Sequence, residues 1–489
     1  MTAPANPAAL APPPAAPLTS PLAHPLADAL ATLLGPRGLL LDASDTASYG
    51  EDWRSLFHNA PVLVIRPANT DELAAAVRLC VAHGVAMVPQ GGNTSLVGGA
   101  VPNAPGQAVI SLSRMNRIRS VDRLDMTMTV EAGVTLKAAQ IAAAEAGCLL
   151  PLSISSEGTA QIGGVLSVNA GGNNTVRYGN ARDLVLGIEA VLPDGATWHG
   201  LRRLRKDNTG YCLRQLLVGA EGTLGIITAA VLKLYPQPRE REVALCAVPD
   251  PAAALALFAR LQAHDPAALQ AFEYMSGAGM DLVIAHIPGA TLPIDKAPHY
   301  CLVDLATPRP HALLRAGFEQ VLEAALEDGV ITDAAIAESG AQRDALWKLR
   351  EEHAEAQKRQ GASVKNDVSV PVSRVPELLV RGQAAVEALV PGIRAVPFGH
   401  IGDGNIHFNF AQPPGMDPDT FLAMDHAIMN AIGAVVRDLD GSFSAEHGVG
   451  QLKPYMMEEW RGGAELDAMR RIKAALDPAG LMNPGKVLP

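Results

Sequence analysis

GTAQIGGVLSVNAGGNNTVRYGNARD, residues 158–183, holds six glycines in 26 positions and decides how the first half of the chain is read. A glycine costs roughly 1 kcal/mol in a helix interior and weakens a strand, so a stretch this rich serves close backbone approach rather than regular structure. With no side chains in the way, successive amides can face an anionic group such as a pyrophosphate. Two further stretches repeat the signal, QGGNTSLVGG at 90–99 and GAEGTLGIIT at 219–228. Any one of them reads as a turn joining strands, but three between Gly91 and Gly225 point to one large ligand. Upstream, VLVIR at 62–66 reads as a short apolar strand, TDELAAAVRLCVAHG from Thr70 as a capped amphipathic helix closed by Gly84, and VAMVP as a strand running into the first glycine loop. That order suggests a nucleotide-binding α/β unit. Its glycines do not fit GxGxxG and no GxxxxGK[ST] follows, so neither a Rossmann site nor a P-loop is supported.

At 489 residues the chain exceeds one ordinary core, and two or more domains are expected. Hydrophobic residues at 48% and charged residues at 18% describe a well-packed enzyme rather than a disordered or fibrous protein. The net charge of -11 argues against general nucleic-acid binding, which relies on Lys and Arg against phosphates. The basic run LRRLRK at 201–206 reads as a solvated loop or edge. Five cysteines (Cys80, Cys148, Cys212, Cys246, Cys301) form no CxxC pair, so neither an iron-sulfur cluster nor a disulfide framework is suggested, and a reducing cytoplasm fits. No run of about eighteen apolar residues predicts a membrane span. The Ala/Pro-rich residues 1–24 lack the features of a secretory signal and are expected to be a disordered tail.

Between about Arg239 and Pro397, alanine-rich helical stretches such as PAAALALFARLQAHD alternate with short strands such as HYCLVDL, which predicts a second, α+β domain. Arg350 falls on a helix, where a charged residue ordinarily faces solvent, and Lys365 begins a strand in VKNDVSVPV. GHIGDGNIHFNF follows at 399–410. Gly402 and Gly404 exclude a helix there, while the alternation from Ile406 to Phe410 sends Ile406, Phe408 and Phe410 to a core and His407 and Asn409 to the other face. The turn folds His400 back towards His407. Two such imidazoles could form half a metal site or lie on the surface beside a turn, and these residues alone leave both readings open. A helix from about Asp417 to Leu439 comes next, then GSFSAEHGVG, where Glu446 and His447 can bring a carboxylate and an imidazole to one pocket. The chain ends ALDPAGLMNPGKVLP, an extended tail suited to docking on another part of the molecule.

QGGNTSLVGG, IGGVLSVNAGGNNTVRYG, GAEGTLGIIT, GHIGDGNIHFNF, SAEHGVG and DPAGLMNPGKVLP together resemble the FAD-linked oxidases of the vanillyl-alcohol oxidase type, in the branch of D-lactate and D-2-hydroxyglutarate dehydrogenases. The resemblance runs from about Tyr49 to the C-terminus, in the same order and spacing. It implies an α+β fold with a two-part FAD-binding domain at 25–238, a substrate and metal domain at 239–450, and a C-terminal segment at 451–489 returning to the flavin.

Gly91, Gly92, Asn93, Thr94 and Ser95 would then cradle the pyrophosphate, with Gly98 and Gly158 nearby. Gly163, Gly164, Asn169, Gly171, Gly172, Arg177, Tyr178 and Gly179 would line the flavin, Glu221, Gly222, Gly225 and Ile226 would hold its other side, and Asn483 would approach from the tail. Relatives that bind FAD covalently use a histidine in the first glycine loop. Asn93 stands between Gly92 and Thr94 and that loop holds no histidine, so FAD is expected to be non-covalent.

By the same resemblance His400, His407 and Glu446 match ligands of Zn2+ or another divalent metal, and His447 matches the general base, also in contact with substrate. Arg350 and Lys365 match substrate-carboxylate positions, and Asn409 a polar contact beside the metal. The chain departs at Ala354, where the hydroxyglutarate enzymes carry threonine. The implied activity is oxidation of a small D-2-hydroxy acid to the 2-oxo acid, with D-2-hydroxyglutarate as leading substrate and D-lactate dehydrogenase or a glycolate-oxidising subunit as alternatives. Electrons would pass to an external acceptor such as an electron-transfer flavoprotein, a quinone or cytochrome c, and a homodimer is one option for assembly. More distant are a non-redox flavin synthase, whose consecutive histidine run is absent here, and a zinc-stabilised binding protein without turnover.

Overall fold

The computed structural model describes residues 25–310 and 313–489, so the tail expected at 1–24 lies outside the described residues. Its first sheet is small and centred on parallel pairs: Val64–Ile65 and Met87–Gln90 both pair with Ala108–Ser111, in register Val64↔Val109 and Val88↔Val109. Helix Thr70–Ala82 crosses between the first two of these strands. It starts where Asn69 accepts the Glu72 amide while Glu72 returns its carboxylate to the Asn69 side chain and the Ala68 amide, a reciprocal cap. It stops before Gly84, whose φ of +64° a side chain would strain.

A five-stranded antiparallel sheet follows, in the order Ile118–Asp122, Thr127–Glu131, Ile226–Lys233, Val185–Val191, Thr197–Gly200. Buried in it, the Glu189 carboxylate accepts hydrogen bonds from Thr70, Thr228 and Arg119, which locks the first sheet's helix to the second sheet. Both sheets border the glycine loops.

The rest of the chain forms a seven-stranded sheet between two helical layers. Its strand order is Asp333–Ile336, Glu240–Val248, His299–Thr307, Leu269–Ser276, Phe398–His400, Asn405–His407, Asp367–Ser369. Period-two alternation sorts the side chains: Ala244, Cys246 and Val248 enter the core against helices Pro251–His264 and Leu314–Glu327, while Val243, Leu245 and Ala247 meet helices Gly277–His286 and Gly340–Glu351. A sheet covered on both faces has no polar side to display, which is why these strands read as continuous apolar runs.

Three local expectations change. The helix expected over Asp417 to Leu439 is two helices, Pro418–Leu422 and Asp425–Asp438, with Asp417 capping the first. Lys365 does not begin a strand but lies between Ser363–Val364 and Asp367–Ser369. The hairpin pairs Phe398↔His407 and His400↔Asn405, but its second strand ends at His407, and Phe410–Ala411 joins a separate small sheet. Ile406, Phe408 and Phe410 are nonetheless fully buried.

The C-terminal tail returns to the first sheet. Met482 bridges Met87, the Met87 amide donates to Leu481, and the Asn483 amide donates to Met87.

Candidate active site

The glycine loops enclose one elongated cavity holding about 1200 Å³ of atom-free space, open mouth included. Its lining draws on all three glycine-rich stretches, which suits a ligand larger than any one loop could hold. Gly91, Gly92, Asn93, Thr94, Ser95, Gly163, Gly164, Glu221, Gly222, Gly225 and Ile226 all line it. Glu446 and His447 close one end.

Gly91 and Gly164 pack against each other in the lining: a Cβ on Gly91 would lie 3.4 Å from the Gly164 nitrogen, whereas one on Gly164 would meet nothing nearer than the Gly91 Cα at 3.9 Å. Packing within the protein therefore does not require glycine at 164, whereas a ligand lying in the slot would. Gly225 is a different case, with φ +151° and a Cβ that would come 3.0 Å from the Val191 carbonyl. The buried Gln161 Oε1 at the cavity wall and the buried Asn483 Oδ1 lack hydrogen-bond partners. The glycine-rich lining and the orphaned Gln161 Oε1 on it fit FAD, and no histidine in the first loop offers a covalent link.

Other expected flavin residues sit behind this lining. Gly98 packs against Phe57 and Gln451, and Gly172 against the Ser153 carbonyl. A Cβ on Gly171 would lie 3.1 Å from Glu446 Oε2, while one on Gly158 would meet nothing. Asn169 accepts the Arg182 amide, and Arg177 donates to the Ala306 carbonyl while covering the Tyr178 ring, which itself meets Tyr235 edge-on. Gly179 ends the short helix Thr175–Tyr178. Asn483 donates to the carbonyls of Gly99 and Glu221, joining two glycine loops from behind. Both Glu221 oxygens accept backbone amides, from Val449 and Gly450, so this residue fastens the Glu446–His447 segment to the cavity. Ile154, Ser155, Ser156 and Ser167 also line the cavity, and their position in or just before the glycine-rich stretch was the available signal.

At the His447 end three imidazoles converge. His407 Nε2 lies 3.4 Å from Glu446 Oε1, and His400 Nε2 and His447 Nε2 each lie 3.9 Å from the same oxygen. A zinc tetrahedron with bonds of ~2.0–2.1 Å has edges of roughly 3.3–3.4 Å, so a small inward shift would close His400, His407 and Glu446 on one ion. Asp367, His407, Glu446 and His447 also offer ligand atoms within 4.8 Å of one another. Asp367, however, addresses the far nitrogens: its oxygens lie 3.7 Å from His407 Nδ1 and 3.5 Å from His447 Nδ1. That is the place of a carboxylate that orients ligands and fixes their tautomers. Glu273 does the same for His400, with Oε1 2.8 Å from Nδ1.

Neither Asp367 nor Glu273 was found from the sequence, because each sits in a strand and meets its histidines only through the fold. Asp367 also accepts the amides of Glu446 and His447, which sets their backbone. Burial raises Glu446 to about 7 and lowers His407 and His447 below the ordinary histidine value. His400 is also desolvated, but the Glu273 and Glu446 carboxylates together outweigh the burial and raise it to about 9.

The expected substrate residues surround this cluster unevenly. Arg350 is not on a solvated face: it is buried, donates from Nε to Glu273 Oε2 at 2.7 Å, and lies over the Phe398 ring. Asn409 is buried with its amide group committed, donating to Gln357 and accepting from the Asn366 amide. Lys365 makes no hydrogen bond or ion pair among the described residues, and burial lowers its pKa.

Residues 237–487 match the family described as FAD linked oxidases, C-terminal domain, and residues 61–200 match the FAD binding domain. The chain is 37% identical over 452 residues to a D-2-hydroxyglutarate dehydrogenase of Xanthomonas citri pv. viticola, covering 92% of this chain and 94% of that one. It is 37% identical over 462 residues to one of Stutzerimonas stutzeri, covering 93% and 97%. With the mitochondrial D-2-hydroxyglutarate dehydrogenase of Bos taurus it shares 35% over 459 residues, covering 93% and 82%. Among solved structures, p-cresol methylhydroxylase with substrate bound superposes with TM-score 0.74 at 16% identity, covering 94% of this chain and 96% of that one. An alkyldihydroxyacetonephosphate synthase superposes with TM-score 0.73 at 19% identity, covering 96% and 86%, so the fold is that of vanillyl-alcohol-oxidase-type flavoproteins.

Proposed function

The chain belongs to the FAD-linked oxidase family, and from that premise we propose that it is a dehydrogenase oxidising D-2-hydroxyglutarate to the 2-oxo acid. The class, an FAD-linked oxidoreductase acting on CH–OH groups, follows from relatives spanning almost the whole chain. The observation that carries the mechanism is the meeting of three imidazole Nε2 atoms and one carboxylate at the end of the glycine-lined cavity.

In this reading the cavity lined by Gly91, Gly164 and Gly222 would hold FAD non-covalently, and His400, His407 and Glu446 would hold zinc or another divalent ion. When bound, the metal would supply Lewis acidity to the α-hydroxyl and the flavin would supply the acceptor for the α-carbon's hydride. His447 takes the hydroxyl proton at Nε2. Burial keeps its imidazole neutral near pH 7 and thus able to accept, and Asp367 beside Nδ1 keeps the proton on that nitrogen. Glu273 and Asp367 hold His400 and His407 in orientation. Arg350 and Lys365 supply positive charge for substrate carboxylates, with Asn409 steadying the strand end beside them.

The reading extends to a flavin domain at 25–238, a substrate and metal domain at 239–450 and a returning segment at 451–489. Electrons leave to an external protein or quinone acceptor. No helix among the described residues is long and apolar enough to cross a membrane, and all five cysteines are free, which supports a reducing compartment such as the cytoplasm. D-Lactate is the second substrate reading, favoured by Ala354, which offers no hydroxyl to a second carboxylate.

The test is visible absorption of the zinc-loaded protein mixed anaerobically with D-2-hydroxyglutarate, its L-enantiomer or D-lactate. Bleaching by D-2-hydroxyglutarate alone is expected. Bleaching by D-lactate alone would move the substrate to a monoacid, and no bleaching by any of them would overturn the assignment.

A further inference from the structure

We propose that Arg54, on the loop 52–57 of the flavin side, binds the distal carboxylate of a dicarboxylic 2-hydroxy acid together with Lys365. This rests on the dehydrogenase reading above and concerns how that site selects its acid.

The loop is built to present one side chain. Asp52 is buried, and its carboxylate accepts three backbone amides, from Arg54 at 3.0 Å and from Leu56 and Phe57 at 2.7 Å each. Ser55 completes the turn with φ +54°. The segment entering the loop is pinned to the first glycine loop, with Gln90 donating to the Tyr49 carbonyl and Asn93 to the Glu51 carbonyl.

From this base the Arg54 guanidinium reaches the Leu96 carbonyl at 3.4 Å, and Leu96 lines the cavity whose end is closed by His447. The next residue, Val97, accepts the amides of Gln451 and Leu452, so Arg54 stands at the seam where the flavin loop meets the segment carrying Glu446 and His447. Its charge is felt by both Lys365 and His447.

The cations at this seam make no direct ion pair among the described residues, although Glu355 acts on Lys365 at longer range. Arg54 makes no ion pair among the described residues: Asp52 attracts it, but the Asp52 oxygens are engaged by backbone amides, and Asp425 acts only at longer range. Lys365 has no hydrogen-bonded or ion-paired partner there either. Arg350 differs, since Glu273 already holds its Nε. Two partly buried cations with no ion pair among the described residues, one at the flavin-loop seam and one two residues before Asp367, suit a ligand carrying a second negative charge. They also answer Ala354, because the far carboxylate is held from the flavin side instead of by a helix hydroxyl.

The experiment compares kcat/KM for D-2-hydroxyglutarate and D-lactate in wild type, Arg54→Gln and Arg54→Lys holoenzymes. Arg54→Gln is expected to lower the diacid-to-monoacid ratio about ten- to a hundredfold, the worth of one hydrogen bond to a charged group, mostly through KM, and Arg54→Lys to recover part of it. Wild-type protein also allows a test without mutation. Glutarate should slow phenylglyoxal modification of Arg54, followed by peptide mass mapping, and propionate at the same concentration should not. An unchanged ratio, equal losses on both acids, or no protection by glutarate overturns the role of Arg54 alone. A wild-type flavin reduced by neither acid, or by D-lactate only, overturns the diacid reading and this inference with it.

Discussion

Replacing Glu273 by Gln removes the single charge that binds Arg350 to His400. The carboxylate is 1% exposed, with one oxygen 2.7 Å from Arg350 Nε and the other 2.8 Å from His400 Nδ1. Although burial alone would raise its pKa, His400 and Arg350 bring it from 4.5 down to about 2. At 1.36 kcal/mol per unit that shift corresponds to roughly 3 kcal/mol. Removing one partner of a buried ion pair costs about 3–5 kcal/mol, so two routes give the same magnitude. For a unit of a couple of hundred residues this lowers Tm by about 6–12 °C. Because the folded pKa is depressed, the stabilisation is complete above pH 4.5 and is lost as pH falls towards 2. Differential scanning calorimetry should therefore show a wild-type-to-variant gap that is full at pH 7 and shrinks below pH 4.5. Glu273→Gln/Arg350→Met should regain most of the loss, since no buried charge is then left unpaired. A gap below about 1 kcal/mol at pH 7, or additive losses in the double variant, would refute the account of Glu273 as a buried bridge.

Metal content should divide the histidines by role. His400→Ala and His407→Ala should lower bound zinc at least about tenfold by mass spectrometry, whereas His447→Ala should keep zinc and FAD yet lose substrate-driven bleaching by about two orders of magnitude or more. Zinc lost with His447→Ala would make it a ligand rather than the base. Gly164→Ala should leave the apoprotein as stable as wild type, or up to ~1 kcal/mol more stable, while weakening FAD affinity at least about tenfold by fluorescence titration. Gly225→Ala should instead destabilise the apoprotein in a urea titration, because φ +151° and the Val191 carbonyl both oppose a side chain. Prolonged dialysis against a chelator should abolish turnover and leave the yellow flavin in place, with zinc restoring the rate.

What the sequence made legible was local. The glycine loops, the Asn69-to-Gly84 helix and the apolar alternation at Ile406, Phe408 and Phe410 are set by residues within a few positions of one another, and a reader of the chain can see them. The burial of Arg350 was not visible because its partner Glu273 lies 77 residues earlier, and the Glu273–His400 contact spans 127 residues. Strand Leu269–Ser276 is buried on both faces, so Glu273 breaks no alternation that would flag it. Asp367 was hidden in the same way inside DVSV, and it acquires its partners only when Glu446 and His447 fold against it from 79 and 80 positions away. The break near Ala423 and Met424 was missed because no proline or glycine marks it. Arg54 was passed over because its environment is made by a loop and a seam, not by a motif.

The returning tail also dictates an order of events during synthesis. Asn483 ties together the carbonyls of Gly99 and Glu221, made 384 and 262 residues earlier, and Met482 completes the edge at Met87. The segment that joins the two glycine loops is thus made hundreds of residues after them. A nascent chain can fold both sheets and still present an open slot, so firm retention of the dinucleotide must wait until Asn483 has been made. Chains truncated before Met482 should accumulate folded but colourless.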